Sequence, residues 1–111
     1  VGVATVREPD GLALSSSNQR LNPDERAIAP VLYTALQHAQ RQIEGGLTDA
    51  AAIRHDAVGM IPRDERVKVE YLEIVDPMDM QPVAHVAGPV VIAGAIWVGG
   101  VRLIDNVKAA P

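Results

Sequence analysis

The amino-acid sequence predicts a single α+β domain in which two main helices pack on a small antiparallel sheet of about three strands. The first half of the chain carries apolar residues at helical spacing, between a capping signal and a pair of glycines. The second half carries β-branched runs that either alternate with polar residues or are wholly apolar. The chain has 111 residues, which is enough for one modest core.

The main helix is predicted to begin after Asn22. This residue can cap the helix, Pro23 suits the first helical position, and Glu25 is placed to complete a capping box. An apolar stripe then recurs at spacings of four or three residues, formed by Ile28, Leu32, Leu36, Ala39 and Ile43. Gly45-Gly46 supplies the positive φ with which helices commonly end.

Pro30 interrupts this helix, because proline has no N–H to donate and its ring clashes with the preceding turn. We therefore expect either a kink or a short turn at Asp24–Ala29 that is followed by the main helix. A second helix is predicted after a cap at Thr48, and it should stop before Pro62. Its buried side is expected to carry Ile53, Ala57 and either Met60 or Ile61.

Three strands are predicted in the second half. Val67–Val75 alternates at first and should be half-exposed, whereas Val90–Val98 is wholly apolar and should be covered on both faces. Met78–Gly88 is predicted to be an irregular connection between them. Gly99-Gly100 is typical of a two-residue hairpin, after which Val101–Val107 returns antiparallel.

Composition excludes several classes of function. Ten Lys and Arg against fourteen Asp and Glu give a net charge of −4, which argues against nucleic acid as a partner. The chain has no cysteine, which excludes thiol chemistry and fits a reducing cytoplasm. The longest uncharged stretch, Val86–Val101, is broken by glycine and proline and is shorter than the roughly 20 residues of a membrane helix. Val1–Val6 lacks a signal-peptide pattern and an initial Met, and is expected to be a short strand or a linker cut from something longer.

A turn followed by a run of serines is the most informative stretch. Pro9-Asp10-Gly11 has the residue types of a tight turn, and Leu12 to Leu14 lead from it into Ser15, Ser16 and Ser17. Hydroxyl groups and free backbone N–H groups ahead of a helix can bind an anion, most often phosphate. On residue types alone, a plain helix-entry loop is the more frequent interpretation of such a run.

The same stretch resembles a known family. Val6–Ser16, with Asn18 and Leu21, is similar to the nucleotide-binding segment of the pantothenate synthetases, also called pantoate–β-alanine ligases. Arg102–Asn106 resembles the end of these proteins, and Glu70–Glu73 resembles a middle strand. The resemblance implies that residues 1–111 form the C-terminal lid domain of a two-domain enzyme whose N-terminal nucleotide-fold domain lies outside this chain.

The resemblance also implies the site residues. Val6 and Leu14 would contact the adenine of ATP, while Ser15, Ser16 and Ser17 would hold its phosphates. Ser17 departs from the family pattern, which has an arginine at this position with a planar fork that suits phosphate oxygens. We hypothesise that Arg20, three residues further on, supplies the missing cation.

A two-step ligation is the activity that the resemblance implies. Pantoate and ATP would form pantoyl adenylate, with Mg²⁺ sharing the phosphate charge, and β-alanine would then displace AMP to form pantothenate. The pantoate pocket and most catalytic groups would lie on the N-terminal domain, so the fragment alone is predicted to be inactive. Two alternatives stay open: a non-catalytic α+β interaction module, and an accessory domain of another adenylate-forming nucleotidyl transferase.

The remaining polar residues are predicted to have structural roles. Arg7 and Glu8 are expected to form a solvated pair, and Asp105-Asn106, near the end of a strand, to hold the chain terminus. His38, His55 and His85 lack the spacing of a metal site and are expected to be surface or packing residues. We predict no catalytic residue, no metal ligand and no membrane contact in this domain.

Overall fold

The computed structural model describes residues 6–13 and 16–111, with Ser16 and Ser17 described through their backbone. The predicted α+β class is confirmed: helices pack on a three-stranded antiparallel sheet in the order β1-β2-β3. The elements in chain order are a 3-10 helix at Ser16–Arg20, α1 at Pro23–Ile28, α2 at Val31–Glu44, α3 at Ala50–Gly59, β1 at Val67–Val75, β2 at Val90–Val98 and β3 at Val101–Ala109.

The capping box and the break at Pro30 are both confirmed. The side chain of Asn22 accepts a hydrogen bond from the Glu25 amide at 2.8 Å, and the Glu25 carboxylate accepts one from the Asn22 amide at 3.0 Å. The first helix ends at Ile28 and α2 begins at Val31, so the chain adopts the short turn followed by the main helix. Gly46, at the end of α2, has a φ of 104°, as predicted for this position.

The cap of the second helix differs from the prediction. Asp49, and not Thr48, caps α3, because its carboxylate accepts a hydrogen bond from the Ala52 amide at 3.2 Å. The carbonyl of Thr48 accepts a hydrogen bond from the Val86 amide at 2.9 Å, which ties this residue to the connection before β2 and keeps it outside the helix. Of the two residues predicted as alternatives for the buried side, Ile61 is buried and Met60 is exposed.

The strands agree closely with the prediction. The β1–β2 register shifts between Val69 and Tyr71, which marks a β-bulge near Glu70. The third strand continues two residues beyond Val107 and pairs Ala109 with Val90. Gly99 and Gly100 have φ values of 57° and 85°, both positive, as a type I′ hairpin requires.

The helices cover one face of the sheet. The prediction that β2 is covered on both faces is wrong for the described part of the chain, because Val91 and Ala93 are half-buried and Trp97 is 38% exposed on the second face. On this second face the Glu70 carboxylate accepts hydrogen bonds from the Trp97 indole N–H at 2.9 Å and from Nε and Nη2 of Arg102 at 2.8 Å. These bonds lower the pKa of Glu70, with Arg102 as the larger cause.

Helix α2 lies close against the sheet at Gly94. A Cβ at this position would lie 2.9 Å from Leu32 Cδ1 and 3.6 Å from Leu36 Cδ2. Both leucines are almost fully buried, so neither has room to move aside. The missing side chain at position 94 therefore sets the distance between the helix and the sheet.

We predict that Gly94→Ala destabilises the domain by about 1–3 kcal/mol, since overpacking a dense core forces side chains off their rotamers. Gly88→Ala is the matched control, because a Cβ there meets no atom within 4 Å and the backbone has no positive φ. Urea denaturation followed by circular dichroism compares the two variants. Equal unfolding free energies would contradict the assigned role of Gly94.

Candidate functional site

Residues 7–13 form a tight turn, which we call the anchored turn. The Glu8 amide donates to the Leu12 carbonyl at 2.8 Å, and the Gly11 amide donates to the Glu8 carbonyl at 2.9 Å. Arg7 and Ala13 form an antiparallel bridge that closes the turn, and Leu12 is buried in the core. The serine run follows directly, so the turn determines where that run begins.

Arg7 is the principal anchor of this turn. Its guanidinium binds the Asp105 carboxylate with both terminal nitrogens, of which Nη2 lies 2.9 Å from Oδ1. Nη1 also donates to the Gly11 carbonyl at 3.1 Å, and the guanidinium carbon lies 3.8 Å from the centroid of the Tyr33 ring. The bond to Asp105 raises the pKa of Arg7 against the opposing effect of burial. The side chains of Arg7 and Asp105 are 17% and 5% exposed, so this ion pair is largely buried.

This arrangement corrects two predictions. Arg7 does not pair with its neighbour Glu8, because the Asp105 carboxylate and the Tyr33 ring offer it a buried site with matched geometry. Asp105 lies in the middle of β3, opposite Gly94, and not near a strand end. Its predicted role is structural, and in the structure it holds the segment at residue 7 and not the C-terminus.

Gly11 fits where no other residue would. Its φ is 97°, which side-chain-bearing residues rarely adopt, and a Cβ would lie 2.4 Å from Tyr33 Cδ2. The Tyr33 ring therefore packs against the turn at Gly11, and the Arg7 guanidinium lies over the face of the same ring. Sequence reasoning identified the turn at Gly11 but missed Tyr33, which has no local signal in the sequence.

A second ion pair joins the anchored turn to α1. Arg26 Nη1 and Nη2 bind the Asp10 carboxylate at 2.6 and 3.1 Å, and Asp10 Oδ1 also accepts a hydrogen bond from the Leu12 amide at 3.3 Å. The Arg26 bond lowers the pKa of Asp10, and the same bond raises the pKa of Arg26. This pair is much more exposed than Arg7–Asp105, so solvent screens it more strongly.

The serine run leads into the 3-10 helix. Ser16 and Ser17 form its first residues, whereas Leu14 and Ser15 lie outside the described residues. Asn18 donates from Nδ2 to the Ala13 carbonyl at 2.9 Å and so joins the two ends of the run. Its Oδ1 is buried and has no hydrogen-bond partner among the described residues. The sequence identified Asn18 only as part of a motif, and its bridging role was not predicted.

The described residues on either side of the serine run line a cleft of about 910 Å³. Ala13 and Asn18, which flank the serines, both line it. The other lining residues are Leu12, Ala29, Leu32, Tyr33, Tyr71, Met80, Val91, Ala93, Arg102, Leu103, Ile104, Asp105 and Asn106. Val6, which directly precedes the anchored turn, is 63% exposed. The lining combines residues of the helix side, such as Leu32, with residues of the second face, such as Val91 and Ala93, so the cleft extends over both faces of the sheet.

Arg20 ends the 3-10 helix and is exposed. In the described ranges five other arginines form ion pairs with aspartate or glutamate, and none of these pairs includes Arg20.

The three histidines do not lie together. His38 lies on α2, His55 on α3 and His85 in the connection before β2. Within residues 6–13 and 16–111, no three His, Cys, Asp or Glu side chains gather into a metal-binding group. No helix in these same ranges has the length and apolar character needed to cross a bilayer.

Fold and site together define a class: a small two-layer α+β domain with an anchored turn beside a cleft. A model of the family described as Pantoate-beta-alanine ligase matches residues 1–108. The chain belongs to this family. A domain of another nucleotidyl transferase, one of the alternatives above, is thereby set aside.

Individual members of the family are also similar to this chain in sequence and structure. The chain is 46% identical to the pantothenate synthetase of Thermotoga neapolitana over 101 residues, which covers 91% of this chain and 36% of that protein. The crystal structure of pantothenate synthetase from Thermus thermophilus superposes with a TM-score of 0.91 at 36% identity and covers all of this chain and 40% of that one. A pantoate-beta-alanine ligase from Francisella tularensis, complexed with beta-gamma ATP and beta-alanine, gives a TM-score of 0.54 at 26% identity, covering 93% and 30%. The chain thus spans well under half the length of these relatives.

We predict that Gly11→Ala destabilises the domain more than Gly46→Ala. Both glycines have a φ near 100°, but a Cβ at Gly46 meets no atom within 4 Å, whereas at Gly11 it meets the Tyr33 ring. The Gly46 variant should lose about 1 kcal/mol for backbone strain, and the Gly11 variant at least about 1 kcal/mol more for the clash. Chemical denaturation measures both. Equal losses would show that the ring does not support the turn.

Proposed function

We propose that this chain is the C-terminal lid domain of a longer pantoate–β-alanine ligase and that it closes over ATP. Its membership of the family supports this proposal. So does the Francisella relative, whose structure is described as a complex with beta-gamma ATP and beta-alanine. The observation that carries the proposal is the anchored turn, because Ala13 and Asn18, which flank the serine run, are bonded to each other and line the cleft.

In the proposed reaction, the carboxylate of pantoate attacks the α-phosphorus of ATP, which forms pantoyl adenylate and releases pyrophosphate. The amine of β-alanine then attacks the acyl carbon, AMP leaves, and pantothenate is formed. The pantoate and β-alanine pockets are assigned to the rest of the longer protein, the proposed N-terminal domain. The C-terminal domain would order the triphosphate and keep water away from the acyl adenylate.

Five residues are assigned to ATP. Ser15, Ser16 and Ser17 would hold the phosphates with their hydroxyls and backbone N–H groups, which suit an anion because they donate without carrying a full charge. Val6 and Leu14 would contact the adenine, and the high exposure of Val6 leaves its side chain open to a ligand. Magnesium enters only as part of the ATP substrate, and we assign it no residue and no step in this domain. We expect the longer enzyme in the cytoplasm, and the absence of cysteine from these 111 residues fits that reducing compartment.

Arg20 is assigned the cation that the family carries at position 17. A 3-10 helix has three residues per turn, so positions 17 and 20 lie on the same side of the helix. Arg7 and Arg26 are both committed to aspartates, which leaves Arg20 as the arginine of this region without an acidic partner in the described ranges. Its guanidinium can therefore turn to an anion bound at the serines.

We predict that the 111-residue chain alone forms no pantothenate, whereas the longer protein that contains it does. The chain lacks the greater part of the length of its relatives, and with it the proposed pockets for pantoate and β-alanine. A coupled assay for AMP release in the presence of ATP, pantoate and β-alanine measures the activity of both proteins. Pantothenate formation by the chain alone would overturn the domain assignment, and a longer protein that is inactive with pantoate and β-alanine would overturn the proposed function.

We predict that Arg20→Ala in the longer protein weakens ATP binding by about tenfold, the loss of one charge-assisted contact. Binding of adenosine should not change, because it carries no phosphate. Arg41→Ala, an exposed change on α2 far along the chain, is the control. Adding Ser17→Arg to the Arg20 variant should restore affinity, because it returns the cation to the family position. Unchanged ATP affinity in the Arg20 variant, measured by calorimetry, would refute the compensation.

A further inference from the structure

We infer that Arg7 is a positioning residue for the serine run, residues 15–17. It acts through Asp105 and Tyr33 and does not touch the nucleotide. This inference rests on the proposed function for the identity of the ligand. It goes beyond that function because it assigns a role to an ion pair outside the set of ATP-binding residues. Arginine beside a phosphate loop would ordinarily be taken for a phosphate ligand, and the contacts of Arg7 argue otherwise.

The donors of Arg7 are already committed. Both terminal nitrogens bind the Asp105 carboxylate, and Nη1 also donates to the Gly11 carbonyl at 3.1 Å. Nη2 additionally lies 3.4 Å from the Asn106 carbonyl, a longer and weaker contact. The Asp105 charge neutralises the guanidinium in a place with little solvent, so an incoming phosphate would meet a carboxylate as well as a cation.

The contacts of Arg7 join the turn to both layers of the fold. Asp105 belongs to β3 and Tyr33 to α2, while Gly11 belongs to the turn itself. The planar guanidinium satisfies all three at once, because it forks toward the carboxylate and lies over the ring. Lysine has neither the fork nor the flat face, so it cannot reproduce this set of contacts.

The two residues that flank the serine run are connected to the Arg7 contacts. Ala13 bridges to Arg7 at the base of the turn, and its carbonyl also accepts a hydrogen bond from the Asn18 side chain beyond the serines. Loss of the Arg7 contacts would release Ala13, and with it the fixed end of the run. Preorganised donors bind an anion more tightly than donors that must be ordered at the moment of binding.

The substitution of Asp105 separates the two possible roles. If Arg7 bound phosphate directly, Asp105→Asn would free its charge, and ATP binding would stay the same or become tighter. If Arg7 positions the loop, Asp105→Asn should weaken ATP binding about as much as Arg7→Ala. We expect a loss of about tenfold in either single variant, and no further loss in the double variant, because the two residues act as one unit.

The experiment measures ATP affinity and steady-state kinetics in the longer protein. Arg7→Ala, Arg7→Lys and Asp105→Asn should all raise KM for ATP, whereas KM for pantoate and β-alanine should stay within about twofold. Arg26→Ala is the matched comparison, since it breaks the other forked ion pair of the same turn, and its exposed position predicts a smaller effect. Full activity with Arg7→Lys, or tighter ATP binding with Asp105→Asn, would overturn the inference.

A second measurement needs no nucleotide. The amides of Glu8 and Gly11 donate within the anchored turn, so their hydrogen exchange should be about tenfold or more faster in Arg7→Ala than in the parent protein. Tyr33→Leu, which keeps apolar volume but removes the ring face, should give the same change where Arg7→Ala fails to fold. Unchanged exchange in these variants would overturn the inference even if the proposed function holds. Faster exchange in a protein that does not bind ATP would support the joint and reject the proposed function.

Discussion

The close approach of α2 to β2 is the constraint on which both the fold and the candidate site depend. Because Gly94 has no side chain, Leu32 and Leu36 lie directly against the strand. Asp105 is the β3 partner of Gly94, and such partners in an antiparallel pair project to the same face. The Asp105 carboxylate therefore lies on the helix side, close to Tyr33, which follows Leu32 on the first turn of α2. Arg7 can contact both groups only because helix and strand lie this near to each other.

Most of the arginines form ion pairs within the domain. Of the eight arginines in the sequence, five form ion pairs with aspartate or glutamate in the described ranges, and Arg7–Asp105 is the most buried of these pairs. Removing both charges from water is unfavourable, and the forked geometry with its additional hydrogen bond and ring contact offsets much of that penalty. Such a pair adds little to stability compared with apolar residues of the same size. What it provides is a single conformation of the turn, which an apolar contact would specify less sharply.

Features set by local chemistry could be predicted from the sequence, and features set by the tertiary register could not. The capping box at Asn22, the break at Pro30 and the Gly99-Gly100 hairpin depend on neighbouring residues, and all three predictions are confirmed. The cap of α3 was assigned one residue too early, because Thr48 and Asp49 are both good caps and a hydrogen bond from distant Val86 decides between them. Nor could the partner of Arg7 be found locally. Asp105 lies 98 positions away, and only the β2–β3 register brings it to the helix side, whereas Glu8 was the nearest acid. The ATP-binding assignment of the serines came from family resemblance and remains a prediction.

The contacts of Arg7 with Asp105 and Tyr33 also affect how the proposed lid would close. The anchored turn is attached to β3 through Asp105, to α2 through Tyr33 and to α1 through Arg26. A turn tied to three elements cannot move far without them, because any displacement would break a buried ion pair or expose Leu12 from the core. Under the proposed function, Ala13 and Asn18, which flank the serine run, would therefore approach ATP together with the whole domain. Because these two positions are set before the nucleotide arrives, ordering them adds no cost to binding.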